Sequence, residues 1–254
     1  MRPARLVRHG FALMAALVVG ACAKAPSGPT PLDREQIAAV VSDPGRSDAD
    51  RRNDERRKPE QMLAFIGVRP GTTALDLATG GGYTTELLAR AIGPTGRVYG
   101  QSPSAARAPA LLAERSRRAP NAAPIVAVVQ PFEDPVPAAL ASGGLDLVTI
   151  MFNYHDFGHL GVDRSRVNAA VYRALKPGGV YVVADHAGRP GTGISESGTL
   201  HRVEEALVRR EVEAAGFRLV ATGDFLRNPN DPRDRNEPDP PQPKDEFVLK
   251  FVKP

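Results

Sequence analysis

The sequence is poor in the residues that crosslink a chain or bind clustered metals. It contains one cysteine in 254 residues and no tryptophan. A single cysteine excludes an internal disulfide and any metal site built from several thiolates. Charge of one sign is also scarce, because Arg2, Arg5 and Arg8 carry three of the four net positive charges. The rest of the chain is nearly neutral, so no nucleic-acid partner is expected.

The first 21 residues have the pattern of a secretory signal. The three arginines precede an apolar run at 11–19 that is too short to span a bilayer as a mature helix. Val19-Gly20-Ala21-Cys22 is similar to the bacterial lipobox, whose cysteine is lipidated and becomes the new N-terminus. We therefore expect Cys22 to anchor the protein to a membrane of the cell envelope, on the periplasmic side, with 22–32 as a flexible tether. An ordinary signal peptide or a wrongly chosen start codon is the alternative.

Helix and strand patterns alternate from residue 33 onward. Residues 33–66 predict short charged helices, interpreted as an N-terminal cap whose charged faces lie in solvent. Residues 67–254 predict an α/β domain with a parallel sheet, helices on both faces and a closing antiparallel pair. Within it, the Pro- and Asp-rich segment 227–244 predicts a long surface loop, either a lid or a mobile connection. The predicted helices cover 83–92, 104–117, 163–175 and 200–215, and the predicted strands cover 73–78, 97–100, 124–129, 145–152, 180–184, 217–222 and 247–252.

The strongest motif follows the first predicted strand. Leu75-Asp76-Leu77-Ala78-Thr79-Gly80-Gly81-Gly82-Tyr83 places an acidic residue in the strand and three glycines before a helix. Glycines let a backbone approach a ligand closely, and the N–H groups at a helix N-terminus face the same crevice. A dinucleotide-binding fold would instead have Gly-x-Gly-x-x-Gly and an acidic residue after the second strand.

This order of residues resembles the first motif of class I S-adenosylmethionine-dependent methyltransferases. The run 174–180 is similar to that family's Leu-Lys-Pro-Gly-Gly turn, and Ala214-Ala215-Gly216-Phe217 to its break before the sixth strand. Residues 153–156, 185–186 and 247–251 further resemble a less-studied bacterial branch of predicted methyltransferases. The resemblance implies a three-layer Rossmann-like fold with a mostly parallel seven-stranded sheet, an antiparallel last strand and S-adenosyl-L-methionine as the cofactor.

The resemblance also assigns cofactor contacts to the ends of the strands. Asp76 would orient the methionine end of the cofactor, and Phe132 would lie near the adenine. Gln101 and Ser102 stand where the family usually has a carboxylate that binds the ribose hydroxyls. The expected cofactor-binding residues are Asp76, Ala78, Thr79, Gly80, Gly82, Tyr83, Gln101, Ser102, Phe132 and Asn153.

Candidate catalytic residues follow the fourth predicted strand, at the edge where ligands of open α/β sheets bind. We expect His155 to act as a general base, Asp156 to orient it and Tyr154 to line the methyl-transfer pocket. Activity would then rise with pH through a pKa near neutrality. The alternative is that His155 only caps a loop or bonds to backbone.

Histidines elsewhere have the donor types of a transition-metal site. His155, Asp185, His186 and His201 include three imidazoles and a carboxylate. They come from separate loops whose spacing demands no metal, so no metal site is predicted.

The leading functional hypothesis is methyl transfer to a small-molecule acceptor by an exported, membrane-anchored enzyme. The alternative is a non-catalytic ligand-binding or envelope-interaction lipoprotein on the same scaffold. The absence of a carboxylate at Ser102 and the expected export both favour that alternative.

Overall fold

The computed structural model describes Met1, residues 29–239 and residues 241–254. The predicted signal segment, Cys22 and most of the expected tether lie outside these residues. Three helices come first: α1 at Arg34–Ser42, α2 at Asp48–Arg57 and α3 at Pro59–Ile66. The side chain of Asp33 caps α1, and α3 begins at a proline, where a helix needs no N–H donor.

Seven strands form one sheet. They are β1 at Thr73–Leu77, β2 at Arg97–Ser102, β3 at Ile125–Val129, β4 at Leu145–Met151, β5 at Leu175–His186, β6 at Arg218–Gly223 and β7 at Glu246–Val252. Their order across the sheet is β3-β2-β1-β4-β5-β7-β6. The first five pair in parallel, and β7 runs antiparallel to both β5 and β6. The predicted fold class, including the antiparallel last strand, is confirmed.

The remaining helices connect the strands. They are α4 at Tyr83–Ile92, α5 at Ala108–Arg118, α6 at Asp156–His159, α7 at Arg164–Ala174, α8 at Ser197–Leu200 and α9 at Glu205–Ala214. Two helices predicted from the sequence differ from the helices of the structure at their N-terminal ends. The helix expected at 104–117 begins at Ala108, and the one expected at 200–215 is interrupted because His201 has a φ of 51°, in the left-handed region.

The sheet separates two apolar cores, because successive strand residues point to opposite faces. On one face Leu75, Val148 and Val183 share a core with residues of α7 and α9. On the other face Ala74, Leu147 and Val182 share a core with residues of α3 and α4. This three-layer arrangement leaves the carboxyl ends of β1 and β4 at one edge of the sheet.

The segment 227–244 has no helix or strand among its described residues. It is nevertheless fixed to the rest of the fold. The fully buried Arg202 pairs with Asp231 at 2.9 Å, and Asp231 accepts the backbone N–H of Asp245 at 2.7 Å. These two contacts therefore attach the predicted loop to the fold around Asp231.

Candidate active site

A cavity of about 230 Å³ lies at the carboxyl ends of β1 and β4. The turn after β1 forms one wall, and α2 covers the other side. The lining residues are Asp50, Asn53, Arg57, Asp76, Ala78, Thr79, Gly80, Gly81, Tyr83, Thr84, Arg115, Met151 and Asn153. Six of the ten expected cofactor-binding positions are thereby brought to one cavity.

The three glycines of the turn after β1 differ in what constrains them. Gly82 has a φ of 76°, and a Cβ there would lie 2.7 Å from the side chain of Arg115. Gly80 also has a positive φ, of 53°. Gly81 has neither constraint, since a Cβ there would meet no described atom within 4 Å. Gly81 therefore faces open space in the cavity, where a side chain would compete with a ligand.

Asp76 is buried at the bottom of this cavity. It accepts hydrogen bonds from the hydroxyls of Thr85, at 2.6 Å, and Thr149, at 2.8 Å. Burial raises the pKa of Asp76 to about 6, although these hydroxyls act in the opposite direction. A cation bound beside Asp76 would favour its charged form.

The second helix is part of the site. One of its faces lines the cavity, whereas the exposed Arg52 and Arg56 belong to the expected solvated face. Asp50, Asn53 and Arg57 follow one another at i, i+3 and i+7, which is one face of a helix. All three line the cavity. The sequence contains this spacing, but a helix so rich in charged residues is expected to be exposed to solvent unless the element that packs against it is known.

Two polar connections hold α2 over the turn. The hydroxyl of Tyr83 donates to Asp54 at 2.7 Å, and Arg46 pairs with the same carboxylate at 2.7 Å. Arg115 of α5 pairs with Asp50 at 2.7 Å and also bonds to the carbonyl of Gly81. These contacts position α2 relative to the glycine turn.

Arg57 is the cation that these connections leave free. Its guanidinium carbon lies 3.6 Å from the ring centroid of Phe152, and it makes no ion pair with any described residue. Burial and the neighbouring Arg56 lower the pKa of Arg57 to about 10, so it stays charged at neutral pH. Phe152 supports it from the end of β4 with a φ of 62°, an uncommon conformation for an aromatic residue.

Known proteins share this arrangement of strands and helices. Residues 75–183 match the family described as Methyltransferase domain. The chain has the fold of class I methyltransferases. Similar solved structures include a SAM dependent methyltransferase from Aquifex aeolicus, with 19% identity, a TM-score of 0.58 and coverage of 88% of this chain and 100% of that chain. A possible exported protein from Bordetella parapertussis has 18% identity, a TM-score of 0.53 and coverage of 89% and 80%.

A third similar structure is that of the cyclase SpnF, with 16% identity, a TM-score of 0.57 and coverage of 91% of this chain and 87% of that chain. At these identities the structures show the fold alone. The match to the methyltransferase domain supports S-adenosylmethionine as the cofactor.

The other four expected cofactor-binding residues lie outside the cavity lining: Gly82, Gln101, Ser102 and Phe132. Gln101 is fully buried, where its Oε1 accepts the N–H of Ala78 at 3.0 Å and its Nε2 donates to the carbonyl of Gln130 at 2.7 Å. It braces the turn instead of facing a ribose. Ser102 accepts the N–H of Ser104, and Phe132 packs its ring 4.9 Å from that of Phe157.

Tyr154 does not line a methyl-transfer pocket, contrary to expectation. Its side chain is fully buried in the apolar core. Its hydroxyl donates to Glu211 at 2.8 Å and accepts the amide N–H of Asn168 at 2.9 Å. Tyr154 therefore joins β4 to α7 and α9. Asn153, one position earlier, does line the cavity.

His155 is not placed as a free general base. Its Nδ1 lies 2.6 Å from Asp185, and its Nε2 lies 3.1 Å from Asp156. Burial lowers the pKa of His155, but the two carboxylates raise it by more than burial lowers it, and the resulting pKa is about 9. A ring that is charged at neutral pH and faces a carboxylate from each nitrogen has no lone pair for an acceptor. The expected rise of activity through a pKa near neutrality does not follow from this geometry.

The histidines of separate loops do converge around this ring. His186 lies 5.5 Å and His201 lies 5.6 Å from His155, between ring centroids. The Nδ1 of His186 lies 2.9 Å from Oε1 of Glu246 but forms no hydrogen bond with a described residue. Burial lowers the pKa of His186 to about 3 and raises that of Glu246 to about 7. The imidazole of His186 is therefore uncharged at neutral pH.

Proposed function

We propose that this protein binds S-adenosyl-L-methionine between α2 and the glycine turn, and transfers its methyl group to a small-molecule acceptor. The observation that carries the proposal is the presence of an unpaired cation, Arg57, and a buried carboxylate, Asp76, in one cavity. The methionine end of the cofactor has one carboxylate and one ammonium group. Arg57 would pair with the carboxylate, and Asp76 with the ammonium group, directly or through water.

The residues of the turn also fit this cofactor. The free space at Gly81 allows the ligand to lie against the backbone. The cofactor supplies a methyl group on a sulfonium, which is already activated toward a nucleophile. What the chain adds is the alignment of donor and acceptor, an effect that can account for a large part of a rate enhancement. A histidine base is not needed for an acceptor that reacts as its neutral amine or its thiolate.

Transfer of a labelled methyl group tests the proposal. The full chain would be incubated with methyl-labelled S-adenosylmethionine and a small-molecule extract of bacterial envelopes. We expect label in a low-molecular-weight product with the unchanged chain and much less with Arg57→Leu. Binding of the cofactor without any transfer would support the alternative of a ligand-binding protein on this scaffold.

We also propose that the protein is exported and anchored through Cys22. Support comes from the order of positive, apolar and small residues before this cysteine. Within the described ranges, no helix combines the length and the apolar character that crossing a bilayer requires. Cys22→Ser should abolish incorporation of labelled fatty acid and release the protein from membranes. An unlabelled wild type, with equal membrane association of the Ser variant, would refute the anchor.

A further inference from the structure

Three metal-binding side chains meet at the end of β4. The Nε2 of His155 lies 3.1 Å from Oδ1 of Asp156, and the Nδ1 of His201 lies 3.6 Å from the same oxygen. One donor atom from each residue lies within 4.8 Å of the other two. With bonds of about 2.0–2.1 Å, ligand atoms of a tetrahedral zinc ion are about 3.3 Å apart. The separations of 3.1 Å and 3.6 Å are close to this value.

The ring of His155 is oriented as a metal ligand would be. Asp185 is fully buried, contacts Nδ1 at 2.6 Å and also accepts the backbone N–H of His155 at 2.7 Å. This carboxylate fixes the imidazole and directs Nε2 toward Asp156. A carboxylate behind the non-ligating nitrogen is the usual support of a histidine that binds zinc, because it fixes the tautomer and increases the basicity of the other nitrogen. A metal ion bound at Nε2 would replace the proton that this nitrogen otherwise carries, and that proton would leave to solvent.

The third donor, His201, is held in an unusual backbone conformation. Its φ of 51° lies in the left-handed region, which is uncommon outside glycine, although histidine, asparagine and aspartate adopt it more often than other residues. The next residue, Arg202, is fully buried and paired with Asp231, which fixes the turn. A strained residue that its surroundings hold in place is a reason to look for a function.

Solvent reaches the open side of this group. The side chains of Asp156 and His201 are 28% and 42% exposed, whereas that of His155 is 5% exposed. Three protein ligands with one side open to solvent is the arrangement of metal sites that bind a water or a substrate in the fourth position. Two imidazoles and a carboxylate suit zinc-like transition metals, whereas calcium and magnesium prefer oxygen donors throughout.

We propose that His155 Nε2, Asp156 and His201 bind one zinc-class divalent metal ion, with the fourth position open to an exchangeable water or to an oxygen or nitrogen donor of a small molecule. The site lies two residues beyond Asn153, which lines the cofactor cavity. The metal site goes beyond the proposed methyl transfer. Because metal binding is measured without the cofactor, the metal site can be refuted while the methyl transfer is supported, and the reverse.

Metal titration of the full chain tests the site. The parent protein carries Cys22→Ser and a purification tag without histidine, so that no thiol or tag binds the metal. Co²⁺ is added first because its visible absorption reports coordination, and Zn²⁺ is then added to displace it. We expect one equivalent of Co²⁺ to bind per chain, with the visible absorption intensity of a four-coordinate site. One equivalent of Zn²⁺ should then displace it.

Two variants and one control separate this site from general surface binding. His201→Asn keeps a residue type that tolerates the left-handed conformation, and Asp156→Asn keeps the shape of the carboxylate. Each should weaken binding by more than about 100-fold, since even the loss of a supporting carboxylate costs about 10–100-fold. The control, His159→Asn, removes a nearby histidine whose Nδ1 lies 3.0 Å from Ser197 and 4.0 Å from Oδ1 of Asp156. Because that nitrogen bonds to Ser197, the change should leave metal binding within about threefold.

Circular dichroism of each variant confirms that it is folded. The proposal is overturned if the parent protein binds no stoichiometric metal, or if both Asn variants bind it as tightly as the parent. It is also overturned if His159→Asn loses the metal while His201→Asn keeps it.

Discussion

Arg57 lies over the ring of Phe152, with 3.6 Å between its guanidinium carbon and the ring centroid. The two residues come from different parts of the chain, the end of α2 and the end of β4. Contact with the face of an aromatic ring stabilises a cation without neutralising it. The N-terminal helices therefore complete the candidate site. A chain from which residues 1–66 were removed would lose the wall of the cavity that α2 forms.

Replacing Arg57 tests its assignment to the cofactor carboxylate. Arg57→Leu should weaken binding of S-adenosylmethionine at least tenfold, or about 1.4 kcal/mol, because the carboxylate loses a partly buried cation. Isothermal titration calorimetry measures this change. The matched control is Arg52→Leu on the solvent side of the same helix, which should change affinity less than about twofold. Equal losses in both variants would mean that only overall charge matters.

Substitutions at Gly81 test whether a ligand occupies the space beside the turn. Gly81 has an ordinary φ, and a Cβ there meets no described atom within 4 Å, so Ala and Val should fold normally. Affinity should fall from Gly to Ala to Val, by more than about tenfold for Val, as the side chain enters the ligand's space. Thermal unfolding serves as the control for folding. An unchanged affinity in a folded Gly81→Val variant would place the cofactor elsewhere.

Asp76 predicts a pH dependence of cofactor binding. Burial raises its pKa in the folded chain to about 6, from an ordinary value of 3.8. The folded state therefore holds this proton more tightly than the unfolded state does. As the pH rises from about 4 to 6, the contribution of Asp76 to the free energy of unfolding falls, and above about pH 6 it no longer changes. The cofactor's ammonium group favours the charged form, so binding should strengthen as pH rises through about 6.

Measurements of the dissociation constant between about pH 5 and 7 would show this trend. Asp76→Asn, which preserves the shape of the side chain, should bind more weakly and lose the pH dependence. The same slope in Asp76→Asn would assign the titration to another group.

The sequence predicted the fold well but the site only in part. Alternating strands and helices, the run Leu75–Tyr83 and the break at Ala214–Phe217 are local patterns, and local patterns indicate secondary structure. The side chains of Arg57 and Arg115 reach the cavity only because α2 and α5 pack beside the turn. Such contacts depend on tertiary packing, which has no signature in sequence spacing.

The histidines illustrate the same limit. Position at the end of β4 suggested a general base, but the chemistry of His155 depends on Asp185, which lies 30 residues away in sequence. A carboxylate on each ring nitrogen changes the expected role from proton acceptor to charged or metal-binding group. The predicted role of Tyr154 failed for a related reason, because its side chain turns into the core toward Glu211.

The buried pair Arg202–Asp231 predicts the stability of the 227–244 segment. Asp231→Ala leaves the fully buried Arg202 without its partner and should lower the free energy of unfolding by about 3–5 kcal/mol. Chemical denaturation measures the change. The matched control is Asp239→Ala, which removes an exposed partner of Arg235 in the same segment and should cost less than about 1 kcal/mol. A small effect at Asp231 would show that the segment is not fixed by this pair.

Calorimetric titration of the full chain with S-adenosylmethionine and with its demethylated product tests the central claim most directly. We expect saturable binding of both at one site per chain. The demethylated product should also bind, because it retains the carboxylate and ammonium groups that Arg57 and Asp76 are proposed to hold. Arg57→Leu should weaken the binding of both ligands by a similar factor. The absence of binding by the folded wild-type chain would contradict the account and leave a methyltransferase fold without its cofactor.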